Sequence, residues 1–172
     1  MSVSGPGPEF DHSRDERFMR LAVANASTVR LLAPPNPWVG AVVVTAQGDV
    51  FQGATSAPGG SHAEIGALRA AGELARGSTL YSTLEPCSHH GRTGPCAQAI
   101  VDAGVARVVV GLIDPDPQVA GRGIALLRSG GLEISVGVGA AAGSTGDGVG
   151  VGAGAGSPRA GSTFEPCSSQ HG

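Results

Sequence analysis

"STLYSTLEPCSHHGRTGPCAQAIVDAGVARVVVGLI", Ser78 to Ile113, decides the fold. "STLYSTL" reads as a strand, "GPCAQAIVDAG" as a helix, and "ARVVVGLI" as an unbroken apolar strand of the kind buried on both faces. Two strands joined through a helix imply a right-handed crossover and parallel pairing. Cys87 and Cys96 stand between the strands, with His89 and His90 in the same loop. The loop alone is compatible with a metal site, a disulfide or an incidental cluster of nucleophiles.

Working outward, "SRDERFMRLAVANAS" places Phe18, Leu21, Ala22 and Ala26 on one helical face, with Ser13 as N-cap and Glu16 at the third helical position. "APPNPWVG" is a proline-fixed turn, and "VGAVVVT" and "GDVFQGAT" read as two strands joined by a Gln-Gly turn. "SHAEIGALRAAGELARG" is a second helix, with Ser61 as N-cap and Gly77 as its stop. Beyond Ile113, "GRGIALLRSGG" gives a last helix and "LEISVGV" a last strand. The order predicts an α/β fold, a three-layer αβα sandwich around a five-stranded mixed sheet, with the hairpin as an antiparallel edge. Residues 1–12 read as a disordered leader and 13–138 as the domain. From 139 to 172 the chain is a Gly/Ala-rich stretch that cannot bury enough surface to order itself. Its end, "STFEPCSSQHG" with Cys167, echoes "STLEPCSHHG" without a second His-x-Glu or a later cysteine, and reads as a degenerate copy or a sequence scar rather than a second site.

A chain of 172 residues fits one ordinary domain. Its net charge of -3 leaves no electrostatic footprint for nucleic acid. All eleven basic residues are arginine, which excludes Schiff-base lysine chemistry and a P-loop. The N-terminus lacks the pattern of a secretory signal, and no apolar run approaches the roughly 18 residues that span a bilayer. A cytoplasmic location is expected, and an odd number of cysteines there favours metal or catalysis over disulfides.

His62, Cys87 and Cys96 form a suitable tetrahedral zinc set, one imidazole and two thiolates, with the fourth position left for water. Both halves of the set fall at the starts of predicted helices, where the helix dipole favours thiolate. In a parallel sheet those ends gather along one edge. Glu64 is not expected as a ligand. It stands two residues after His62, about 200° around a regular helix, but a helix start can bring both side chains to one cavity. There it would shuttle protons, in the arrangement of His-x-Glu and Pro-Cys known for zinc deaminases.

Three stretches resemble the deaminase domain of the bifunctional riboflavin-biosynthesis deaminase/reductase: "PPNPWVGAVVV", "GGSHAEIGALRAAGELARGSTLYSTLEPCSHHGRTGPC" and "DPDPQVAGRGIALLRSGGLE". The similarity runs from about Arg14 to Val138. Most cytidine and tRNA adenosine deaminases leave two residues between their cysteines. This chain has eight, similar to the insertion of the riboflavin family, which widens the pocket for a phosphoribosyl-pyrimidine. The resemblance implies one zinc ion per chain and hydrolytic deamination of diaminohydroxyphosphoribosylaminopyrimidine 5'-phosphate to the aminouracil product and ammonia. It implies substrate contacts at Asn36, Ala63, His89 and Arg92, and places Thr55 and Asp116 in the same surroundings. His90 is expected to face solvent. Thr55 stands where the family often has histidine, Asp116 makes "DPDP" of the family's "DPNP", and Gly94 replaces a proline. The glycine-rich stretch stands where a reductase domain would begin, so NADPH is not expected to bind and a separate reductase is expected elsewhere. A homo-oligomer is compatible with the resemblance. Two alternatives stay open at this point: a related deaminase acting on another amino-pyrimidine or purine nucleotide, and a catalytically idle zinc-binding assembly partner.

Overall fold

The computed structural model describes residues 12–89, 94–117 and 119–139. The expected leader up to residue 11, the positions of His90 and Arg92, and the stretch from 140 that contains Cys167 lie outside the described residues. The elements run α1 (His12–Thr28), β1 (Gly40–Val44), β2 (Val50–Ala54), α2 (Ala63–Ala71), β3 (Thr79–Leu84), α3 (Cys96–Asp102), β4 (Arg107–Leu112), α4 (Arg122–Ser129) and β5 (Glu133–Val136). The sheet order is β2-β1-β3-β4-β5. β1 pairs antiparallel with both β2 and β3, while β3, β4 and β5 run parallel. This is the expected five-stranded mixed sheet with its hairpin at one edge.

Alternation along β1 builds the layers. Val42 and Val44 join Phe18, Met19 and Ala22 of α1 with Tyr81, Val109 and Val138 on one face. Ala41 and Val43 join Ala63 and Ala67 of α2, Ala97 and Ile100 of α3, and Leu127 of α4 on the other. β4 is buried from Val108 to Val110 on both faces, because helices cover both. Two glycines set the spacing of the layers: a Cβ on Gly40 would overlap the Ala22 carbonyl, and one on Gly53 would overlap the Ala63 carbonyl. The second contact seats the start of α2, and with it His62 and Glu64, against β2.

Three boundary expectations change. α1 is already running at His12, so Ser13 lies inside the first turn and does not cap it. Its buried face carries Asp15, Phe18, Met19, Ala22 and Ala26, and Leu21 is only half-buried. α2 is capped at His62 rather than Ser61, ends at Gly72 (φ 55°), and continues as a 3-10 turn to Ala75 before Gly77. The Gln-Gly turn forms as expected: Gly48, at φ 95°, donates its N–H to Thr45 O at 3.0 Å.

Asp15 is buried on the α1 stripe and satisfied across the sheet. Arg107 donates to both of its oxygens at 2.8 and 2.7 Å, and Tyr81 Oη donates at 2.9 Å. Burial pushes the Asp15 carboxyl up, but the bonds from Arg107 and Tyr81 and the Arg107 charge bring it below its ordinary value. Arg107 also reaches Glu133 at 2.8 Å, its neighbour across the β4–β5 pair.

Candidate metal and deaminase site

β3 runs out at Leu84 into Glu85-Pro86-Cys87, and α3 begins at Cys96 with Pro95 as its cap. α2 begins beside them with His62 in extended conformation (φ -70°, ψ 162°) at its cap position. His62 Nδ1 lies 3.2 Å from Cys96 Sγ and 3.6 Å from Cys87 Sγ, and the three donor atoms all lie within 4.8 Å of one another. A tetrahedral zinc ion with bonds of about 2.0 Å to nitrogen and 2.3 Å to sulfur sets its ligands about 3.5 Å apart, so this donor set fits. Among the described residues it is the one cluster of metal-ligating side chains.

The local electrostatics prepare a cation site. The Cys96 thiol donates to Cys87, and with the bonds from His62 and the Cys96 N–H this holds Cys87 well below the usual thiol range. Cys96 is correspondingly pushed up, because its proton serves that bond and it is buried. His62 is raised by its hydrogen bond to Cys87, against a smaller opposing effect of burial. One negative charge shared by two thiols beside an imidazole is what a soft divalent cation would neutralise.

Glu64 is 4% exposed. Burial pushes its carboxyl from 4.5 up to about 7, partly offset by a backbone hydrogen bond and by His62. The 200° separation from His62 does not apply, since His62 is the non-helical cap and only Glu64 lies in the first turn. Ser82 Oγ donates to Leu84 O at 2.8 Å and makes a long contact of 3.5 Å to Glu64 Oε1.

The positions expected around substrate have different surroundings. Ala63 is fully buried at the start of α2. Asn36 and His89 are exposed, Asn36 in a turn where its N–H donates to Ala33 O at 2.9 Å. Asp116 is exposed in the turn after β4, where its N–H donates to Asp114 Oδ1 at 2.9 Å. Thr55 is buried, and its hydroxyl accepts the Val39 N–H at 2.9 Å and reaches Pro37 O at 3.2 Å. It thus fastens the loop that carries Asn36. A cavity of about 540 Å³ between α1 and β2, lined by Arg17, Phe18, Leu21 and Val50 among others, shares no residue with this site.

Sequence reasoning missed Glu85. It is 5% exposed, and its carboxylate accepts four backbone N–H groups from the far side of the site, those of Asp114, Gly121, Gly123 and Ile124. The available signal was a carboxylate closing a buried strand immediately before Pro-Cys.

Residues 12–112 match the family described as the cytidine and deoxycytidylate deaminase zinc-binding region. The riboflavin biosynthesis protein RibD of Escherichia coli is 51% identical over 124 residues, which are 72% of this chain and 34% of that protein. The diaminohydroxyphosphoribosylamino-pyrimidine deaminase of Buchnera aphidicola is 41% identical over 124 residues, covering 84% of its length. Acinetobacter baumannii RibD superposes with a TM-score of 0.72 at 43% identity, over 74% of this chain and 36% of that one. The chain thus spans about a third of the length of the RibD relatives it matches. By this family match, these identities and the shared fold, the chain belongs to the zinc-binding cytidine and deoxycytidylate deaminase family, in the branch formed by the deaminase domains of RibD.

Proposed function

We propose that this domain, residues 13–138, hydrolyses diaminohydroxyphosphoribosylaminopyrimidine 5'-phosphate, replacing the amino group at pyrimidine carbon 2 by oxygen and releasing ammonia. The observation that carries the reading is the buried Glu64 carboxyl, raised to about 7, beside His62, Cys87 and Cys96. A structural zinc site has no use for such a group. The names of the relatives support the substrate.

His62, Cys87 and Cys96 would hold a zinc ion, which when bound would supply Lewis-acid activation of water at neutral pH. Glu64, buried beside His62, takes the proton that the attacking water loses. It hands that proton to the ring nitrogen next to the reacting carbon, then takes the second proton from the hydroxyl now on that carbon and gives it to the departing amino group, which leaves as ammonia. The carboxyl ends the cycle as it began, and the oxygen from water stays on the ring. Asn36, Ala63 and His89 are proposed to meet the base, and Arg92 the phosphate, for which a guanidinium is suited. Thr55 acts through the loop it holds.

The test is ammonia release from a panel of amino-pyrimidine and purine nucleotides, with and without chelator. Release from the diaminopyrimidine phosphate alone, abolished by chelator and restored by zinc, is expected. Preference for another nucleotide, or release indifferent to chelator, would overturn the reading.

A further inference from the structure

Glu85 has no part in the proton transfers, yet its buried carboxylate takes four backbone N–H bonds. Its Oε2 accepts Asp114 N–H at 3.2 Å and Gly121 N–H at 2.9 Å, and its Oε1 accepts Gly123 N–H at 2.8 Å and Ile124 N–H at 3.2 Å. Each oxygen thus receives two donors, which fills the lone pairs of a carboxylate. Its own N–H donates to Leu112 O at 2.8 Å, at the end of β4. Gly123 lies so close to the next residue that a Cβ there would overlap the Pro86 carbonyl oxygen.

The turn from Glu85 to Cys87 is fastened on its other side to α3. Cys87 O accepts Ala97 N–H at 3.1 Å, and Cys87 Sγ accepts Cys96 N–H at 3.4 Å. So one three-residue turn joins two bodies. The metal ligands and α3 hold one end, while the turn at residues 114–117 and the start of α4 hold the other. The donors at the start of α4, which otherwise attract an anion, are occupied by the protein's own carboxylate.

We propose that Glu85 is a positioning residue that sets the 114–117 turn and the start of α4 at a fixed distance from the metal ligands, and so sets the fit of the substrate. The proposal rests on the deaminase reading above. Because Cys87 is held independently through α3, loss of the Glu85 carboxylate should move the turn and spare the ligand set.

Two variants test it. Glu85→Gln keeps the shape but turns an NH2 group toward one pair of N–H donors. Gly123→Ala leaves Glu85 intact and pushes α4 away from Pro86. In each, zinc should stay at wild-type content. KM should rise about 10- to 100-fold, as for displaced supporting residues, with kcat changed less than about threefold. Amide exchange at Gly121, Gly123 and Ile124 should quicken in Glu85→Gln. A merely structural role would lower the melting temperature and leave KM of the folded, zinc-loaded protein unchanged, which overturns the proposal. Loss of zinc, or unchanged amide exchange, overturns it as well. Should Glu85→Gln fail to fold, Gly123→Ala carries the KM test. If the wild type ignores the diaminopyrimidine phosphate, the substrate reading falls by itself, and KM is read on whichever nucleotide of the panel the wild type deaminates. If it deaminates none, both fall.

Discussion

Replacing Glu64 by glutamine separates what the carboxylate does for the reaction from what it costs the fold. Its carboxyl rises from 4.5 to about 7, chiefly because it is buried. The folded protein therefore holds this proton more tightly than the unfolded chain does. Below the unfolded value both states are protonated and the group costs nothing. As pH climbs through the interval the unfolded chain ionises first, so stability falls, and above about 7 the loss levels off. At about 1.36 kcal/mol per pH unit, the rise from 4.5 to about 7 corresponds to about 3 kcal/mol. Glutamine is neutral throughout. In the chelated protein, Glu64→Gln should then resist urea better than wild type at about pH 8, by up to about 3 kcal/mol, and equally at about pH 4.

The same substitution removes the proton carrier. General acid–base catalysis is worth roughly 10² to 10⁴-fold, and one group serving several transfers puts the loss at or beyond the upper end. Zinc content should be unchanged. The assays are ammonia release, metal analysis, and urea unfolding with and without chelator. Lost zinc would make Glu64 a fourth ligand and the site a closed one. Full activity would mean another base, with His89 next in line. A chelated variant no more stable than wild type at the higher pH would refute the desolvation argument itself.

Metal analysis should find one zinc per chain, retained in Cys167→Ala and lost in Cys96→Ala, with Zn–S distances of about 2.3 Å by X-ray absorption. Asp15→Asn should cost about 3 kcal/mol in urea unfolding, since it strands a largely buried Arg107, with Glu133 limiting the damage. Because the Asp15 value is lowered, its contribution is full above the ordinary 3.8 and fades as pH falls through the lower folded value, so the variant should lack that acid-side slope. A chain ending at Gly139 should keep its melting temperature and turnover, because among the described residues Val138 is the last to join an apolar cluster; a large drop in either would move the domain boundary.

What was legible in the sequence is what one element or its ends can encode. The apolar run in β4, the Gln-Gly turn and the placement of His62 and Cys96 at helix starts all depend on neighbours a few residues apart. Polar residues whose partners lie across the sheet were not legible. Thr55 differs from the histidine that the resemblance expects, but only the fold shows its hydroxyl taken up by Val39 and Pro37. Asp15 offered a partial signal, because it shares the stripe of Met19, Ala22 and Ala26 at helical spacing, and a charge there requires a partner. That partner is 92 residues away. Its identity follows from register: β4 lies beside β3 with Arg107 opposite Thr79, two residues short of Tyr81. A slip of one residue would turn the Arg107 side chain to the other face and leave Asp15 buried without it. A charge on an apolar stripe, or one closing an apolar strand as Glu85 does, therefore announces that a partner exists. Strand pairing and helix placement decide which one it is.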